Sequence, residues 1–93
     1  MTSTYHMKAH EQLFSLGQAF RMYDGITAEL CDNRLEVTRK QPEGFRRDTI
    51  TCSPRPSDFD KLWFWDSKRQ PISEADKIPD AAMHIAKSLK PTP

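Results

Sequence analysis

The segment from Ile26 to Thr38 alternates apolar and polar residues with a period of two, and no other pattern constrains the fold as strongly. The apolar members of the alternation are Ile26, Ala28, Leu30, Leu35 and Val37. A two-residue turn at Asp32-Asn33 would place Leu30 opposite Leu35 and put all of them on one face of a β-hairpin. Asp and Asn accept the positive φ angles of such a turn better than most residues. The pattern therefore predicts a sheet with one apolar face, which another layer must cover.

The same register assigns the polar side chains of the hairpin to the other face. Glu29 and Glu36 should be exposed there, whereas the leucines on either side of the turn should be buried. Cys31 should point to the polar face and Cys52, on a later strand, to the core. We therefore expect no disulfide between the two cysteines of one chain.

Two amphipathic segments flank the predicted strands. The first runs from about His6 to Tyr23 and carries apolar residues at steps of three and four. Gly17 lies within this stripe at some cost in helix propensity, which suggests close packing against another element. The second helix begins at Pro79, a favoured first-turn residue, and carries apolar residues as far as Leu89.

Two further strands are predicted between the hairpin and the last helix. The third runs from about Arg46 to Ser53 and is ended by Pro54 and Pro56, and the fourth is Leu62 to Trp65. Ser73 to Asp76 has the spacing of a capping box, which predicts one short turn. The expected fold is α+β, a two-layer sandwich in the order helix, four antiparallel strands, helix. Both helices should lie on one face of the sheet, which leaves the other face open.

Length and charge bound the class of protein. The 93 residues predict a single domain, 1–93, with short frayed tails at 1–5 and 91–93. There are 14 basic and 13 acidic residues, whereas a dedicated nucleic-acid binder usually carries a clear basic excess. Neither an apolar signal-peptide run nor a stretch of membrane-spanning length is present, which predicts a soluble, cytoplasmic protein with no membrane partner.

Both tryptophans stand in the run from Leu62 to Trp65. Because successive strand residues point to opposite faces, only one of the pairs Leu62/Phe64 and Trp63/Trp65 can face the helices. Two indoles would overfill the core, which favours Trp63 and Trp65 on the open face. In the alternative, the tryptophans face the helices and the segment 54–56 or the tail covers the other side.

On the open face, Trp63 and Trp65 would lie among the threonines of the third strand, Thr49 and Thr51. Each indole can bury roughly 150–250 Å², so covering both would be favourable by several kcal/mol at about 25 cal/mol per Å². Such a patch is typical of a surface that binds a partner protein or a second copy of the chain. The sequence thus predicts a small, non-catalytic protein–protein interaction or regulatory module.

A run of basic residues supports an alternative function. Its members are Arg39, Lys40, Arg46, Arg47 and Arg55. Together with aromatic residues on the neighbouring strand, they could bind single-stranded nucleic acid by phosphate contacts and base stacking. A mixed-charge, solvated face explains the same residues without a ligand.

No catalytic, cofactor or metal signature is present. His6 and His10 have a spacing that can bind a metal, but no carboxylate or cysteine joins them at a suitable interval. Cys31 and Cys52 lack a neighbouring base that would activate a thiol, and a domain of this size offers little room for a pocket of several hundred Å³. We therefore expect neither an enzyme nor a cofactor, and no small-molecule substrate is indicated.

Two resemblances concern the outline of the fold. The order helix, strands, helix resembles the double-stranded-RNA-binding domain, but the stretch 76–80 is nearly neutral and interrupted by proline, where that family has a basic Lys-Lys-x-Ala-Lys start to its second helix that grips phosphates. The aromatic strand, Pro71-Ile72 and the alanine-rich last helix look like small bacterial helix–sheet–helix proteins. Neither resemblance implies a functional residue in this chain.

Overall fold

The computed structural model describes residues 4–42 and 44–89, with backbone alone at 4–7. These residues form two α-helices and a five-stranded antiparallel sheet that does not close. In chain order the elements are α1 (Thr4–Ala19), a 3-10 turn (Phe20–Met22), β1 (Ile26–Cys31), β2 (Arg34–Gln41), β3 (Gly44–Arg55), a second 3-10 turn (Pro56–Asp58), β4 (Lys61–Trp65), β5 (Pro71–Glu74) and α2 (Ile78–Ser88). The strands lie in the sheet in the same order. No helix of the described segments is both long and apolar enough to cross a membrane.

The predicted register of the first hairpin is confirmed. Leu30 lies opposite Leu35 and Glu29 opposite Glu36, across a turn in which Asp32 adopts a φ of 52°. Leu35 is buried, and Leu30 is half-buried against the core instead of fully buried, because β1 is an edge strand. Glu29 is exposed and Glu36 is partly exposed on the opposite face.

A single cluster of buried residues joins the sheet to both helices. Its large members are Leu13, Leu16, Phe20, Leu35, Val37, Ile50, Phe64 and Ile85. α1 packs across β1, β2 and β3, whereas α2 packs against α1 and β5. The inference from Gly17 is supported, because a Cβ atom there would lie 3.2 Å from Leu35 Cδ1. The missing side chain therefore lets α1 approach β2 closely.

The sheet has a fifth strand that the sequence analysis missed. Pro71–Glu74, expected to lead into a short turn, pairs with β4, with Glu74 opposite Trp63. Proline is tolerated as the first residue of an edge strand, where its missing N–H breaks no ladder bond. The prediction of four strands was therefore wrong, and the placement of α2 only partly right, because α2 contacts this extra strand.

Other differences concern the ends of elements. α1 begins at Thr4, within the predicted tail 1–5, and its last predicted turn is a 3-10 turn, Phe20–Met22. α2 begins at Ile78, one residue before the predicted start. Residues 1–3 and 91–93, the rest of the predicted tails, lie outside the described residues.

Pro54 lies inside β3 instead of ending it. The N–H of Ala75 donates to the carbonyl oxygen of Leu62 at 2.9 Å, so the backbone groups of Leu62 point toward β5. Pro54 is opposite Leu62, and its nitrogen therefore points away from β4, toward β2. The first residue of β2, Arg34, is opposite Thr51, so no residue of β2 lies beside Pro54. The proline removes no ladder bond at this position, so the strand continues to Arg55.

Candidate interaction surface

Trp63 and Trp65 lie on the open face of the sheet. Phe64, between them, is 0% exposed in the core and pairs with Cys52, which also packs against the core. Because successive strand residues point to opposite faces, the two indoles project away from the helices. This orientation was predicted from the sequence, because Leu62 and Phe64 were assigned to the core and the residues that alternate with them to the open face.

The predicted neighbours of the tryptophans occupy two different rows of the open face. Thr51 is directly opposite Trp65, whereas Thr49 is opposite Glu36, one row further from the tryptophans. The residue opposite Trp63 on β3 is Ser53. Thr51 and Ser53 therefore flank the indoles, and Thr49 contributes only to the margin of the surface.

Trp63 is not bare, because the chain that follows β3 folds against it. Its Nε1–H donates to Asp58 Oδ2 at 2.8 Å, and the Arg55 guanidinium lies 4.4 Å from the ring centroid. Arg55 Nε also donates to Ser57 Oγ at 3.0 Å, which fixes the guanidinium over the indole. The alternative in which the tryptophans face the helices is therefore wrong, although the segment after Pro54 partly covers Trp63 on the open face.

Trp65 is also half-buried and hydrogen-bonded. Its Nε1–H donates to the carbonyl oxygen of Ser53 at 3.1 Å, which lays the indole along β3. On the far side of Thr51, in the same row, lies Arg34, which forms an ion pair of 3.7 Å with Glu36. The open face next to Trp65 is therefore polar, and the apolar part of the surface lies toward Trp63.

Phe59 follows Asp58 in the loop that contacts Trp63, and it was missed by the sequence analysis. Its side chain is 91% exposed, and both Phe59 and Asp60 have left-handed backbone conformations, with φ of 54° and 58°. Such a conformation costs a residue with a Cβ roughly 1–2 kcal/mol. The loop is held from both sides by the Trp63–Asp58 bond and by a 3.0 Å bond from Asp60 N–H to the Arg55 carbonyl. The only sequence signal was an aromatic residue between two aspartates in a turn.

A groove separates the start of α1 from the projecting ends of β3 and β4. It has a volume of about 830 Å³ and is lined among others by Leu13, Cys52, Pro54 and Leu62. The expectation that so small a domain offers little room for such a space was wrong, because β3 and β4 extend past the β1–β2 turn. His10, which has a metal-binding spacing from His6 but was not expected to bind a metal, lies at the rim and donates from Nδ1 to the Asp32 carbonyl oxygen at 3.1 Å.

Cys52 in this groove is a poor nucleophile. Desolvation by burial raises the pKa of its thiol from 9.0 to about 12, so the thiol remains protonated at neutral pH. Cys31 is on the opposite face of the sheet, and both cysteines are free. No group of three or more His, Cys, Asp or Glu residues in the described segments could hold a metal ion.

We predict a difference in reactivity between the two cysteines. In the folded protein at pH 8, Ellman's reagent should modify Cys52 at least about ten-fold more slowly than Cys31, because attack requires the thiolate. Denaturation should make the two rates similar. The variants Cys31→Ser and Cys52→Ser separate the two signals. Fast modification of Cys52 without unfolding would show that the thiol is not held in its protonated form.

The basic residues do not form one strip. Arg39 and Arg46 occupy opposite positions on neighbouring strands, on the face toward the helices. Lys40, Arg47 and Arg55 are on the open face. Arg47 and Arg55 lie eight positions apart along β3, which corresponds to about 26 Å at roughly 3.3 Å per residue. The predicted nucleic-acid residues are thus divided between two faces and between two ends of one face.

Comparison of the chain with family models, curated proteins and solved structures gave no match.

Proposed function

We propose that the protein is a non-catalytic binding module and that it recognises a partner protein through an aromatic patch made by Phe59, Trp63, Trp65 and Arg55. The exposed Phe59 carries this proposal. An aromatic ring held away from its own core, in a costly backbone conformation, gains most when a partner pocket covers it. Aromatic and arginine side chains are also the residue types that contribute most at the centres of protein interfaces.

The support around Phe59 favours a preorganised surface. Trp63 is fixed by its bond to Asp58, and Arg55 is fixed by its bond to Ser57. A partner therefore meets side chains whose conformational freedom is already restricted, which lowers the entropic cost of binding. Lys61, opposite Arg55, adds a second positive charge beside the aromatic rings. Asp58 and Asp60 in the same loop balance these two charges, so the preferred partner is a protein surface with an apolar pocket whose rim carries both acidic and basic groups.

The proposal is tested by affinity capture from cells that express the tagged chain. Phe59→Gly removes the ring, and Asp60→Gly is the matched control that changes the neighbouring left-handed residue and keeps the ring. A partner recovered by the wild type and Asp60→Gly but lost with Phe59→Gly would support the aromatic patch. If every recovered protein is retained by Phe59→Gly and by Trp63→Ser, the patch is not the binding surface.

Nucleic-acid binding is the alternative function, and it can be tested separately. Because only three of the five basic residues share the open face, we expect no binding of a labelled single-stranded oligonucleotide at 50 mM salt and micromolar protein, measured by fluorescence anisotropy. Binding that falls steeply between about 50 and 200 mM salt, and that weakens in Arg47→Ala, would favour the alternative. The control Arg46→Ala changes the helix-side face and should have no effect.

A further inference from the structure

The outer edge of β1 carries unpaired backbone groups. The N–H of Lys40 donates to the Gly25 carbonyl oxygen at 2.8 Å. This bond shows which residues of β1 direct their backbone groups toward β2. By alternation, the backbone groups of Thr27, Glu29 and Cys31 face β2, and those of Ile26, Ala28 and Leu30 point outward. None of these outward groups takes part in the other backbone hydrogen bonds of the described residues.

The two edges of the sheet differ in how they are protected against pairing. β5 has four residues, begins with Pro71 and is irregularly paired with β4 at Phe64/Trp65. These are devices that keep an edge strand from adding another strand. β1 has six residues and contains neither a proline nor a lysine, and its pairing with β2 is regular. The β1 edge is therefore the one that is free to extend the sheet.

We propose that β1 pairs antiparallel with β1 of a second copy, so that two sheets join into one across a two-fold axis at Ala28. In this register Ala28 faces Ala28 of the second copy, and Ile26 faces its Leu30. All outward-pointing residues of both strands then form hydrogen-bonded pairs, each exchanging two N–H···O bonds. A shift that placed the axis at Glu29 would bring two carboxylates together and leave Ile26 unpaired.

The side chains on both faces are complementary in the register centred on Ala28. On the open face, Thr27 lies opposite Glu29 of the second copy, so no like charges meet. On the helix side, a groove of about 380 Å³ runs between α1 and β1, and Phe14 at its border is 54% exposed. The apolar side chains of the second strand would enter this groove and cover Phe14, which the monomer leaves exposed to solvent.

This dimer is independent of the aromatic patch. β1 and β4 are separated by β2 and β3, so pairing at β1 leaves Phe59 and Trp63 accessible. The joined sheet would carry two copies of the patch on one continuous open face. A dimeric or repetitive partner would then be bound by both copies, with a higher avidity than one patch provides.

The first test is the molar mass by sedimentation equilibrium, combined with amide exchange. Wild type should be dimeric at micromolar concentration, with slow exchange at the amides of Ile26, Ala28 and Leu30. Ala28→Pro removes an outward N–H without touching the ladder to β2, and should raise the dimer dissociation constant at least about ten-fold. Ala28→Ser is the matched control, because it keeps the N–H. A wild type that is monomeric at 100 micromolar protein, with fast exchange at these amides, would overturn the proposal.

The second test addresses the register and uses only exposed side chains, so that it does not depend on whether the proline variant folds. Thr27→Lys should strengthen the dimer and Thr27→Glu should weaken it, each by roughly two- to thirty-fold, because each change acts twice across the axis. Double substitution with Glu29→Lys should reverse both signs. If the dissociation constant does not respond to charge at position 27, or if the dimer is lost instead with Trp63→Ser, pairing at β1 is wrong.

Discussion

Replacement of Phe64 by alanine is expected to lower the free energy of unfolding by about 3–5 kcal/mol. The side chain is fully buried in the cluster that joins the sheet to both helices, and truncation would leave a cavity that flanking residues fill only partly. A domain of this size has a total stability of about 5–15 kcal/mol, so the variant should lose a large fraction of it. Urea denaturation followed by circular dichroism measures the effect.

Trp65→Ser is the matched comparison, because it changes the neighbouring residue of the same strand on the opposite face. It removes a larger side chain, yet only a half-buried one that donates a single hydrogen bond to the Ser53 carbonyl oxygen. We expect a loss of about 1–2 kcal/mol, the combined size of that bond and of partial burial. A loss as large as that of Phe64→Ala would mean that the open face is packed as tightly as the core.

The parts of the fold that could be predicted from the sequence are those that depend on local backbone geometry. The β1–β2 hairpin needed only a two-residue turn and a period of two, so its register could be predicted in full. The orientation of Trp63 and Trp65 followed from the same alternation together with the volume available in the core. The fifth strand could not be predicted in this way, because Pro71–Glu74 is short and its pairing with β4 depends on tertiary contacts.

The candidate surface was predictable only in part, for a similar reason. Strand alternation placed both indoles, but the partners that half-cover Trp63 come from the loop after β3. Pro54 was expected to end that strand, and the strand continues because its nitrogen faces the side that β2 leaves empty. The exposure of Phe59 depends on two consecutive left-handed residues, a conformation that Phe rarely adopts and that no propensity indicates.

Phe59→Gly is expected to separate binding from stability. Glycine adopts a positive φ without a Cβ penalty, so the variant should relieve about 1–2 kcal/mol of strain and lose roughly 0.5–1 kcal/mol to its greater freedom when unfolded. The exposed ring makes few contacts in its own chain, so its removal costs little. The net expectation is an unchanged or higher free energy of unfolding, by up to about 1.5 kcal/mol, measured by urea denaturation.

The same change should weaken binding to the partner by about 30-fold or more, the loss typical of an aromatic anchor at an interface centre. Asp60→Gly should relieve a smaller strain, since Asp tolerates this conformation better than Phe, and should leave binding unchanged. Isothermal titration with a partner identified by affinity capture distinguishes the two variants. If Phe59→Gly destabilises the domain and leaves binding intact, the ring supports the loop and is not a contact. The left-handed conformation would then be part of the β3–β4 connection and not a device that presents an aromatic side chain.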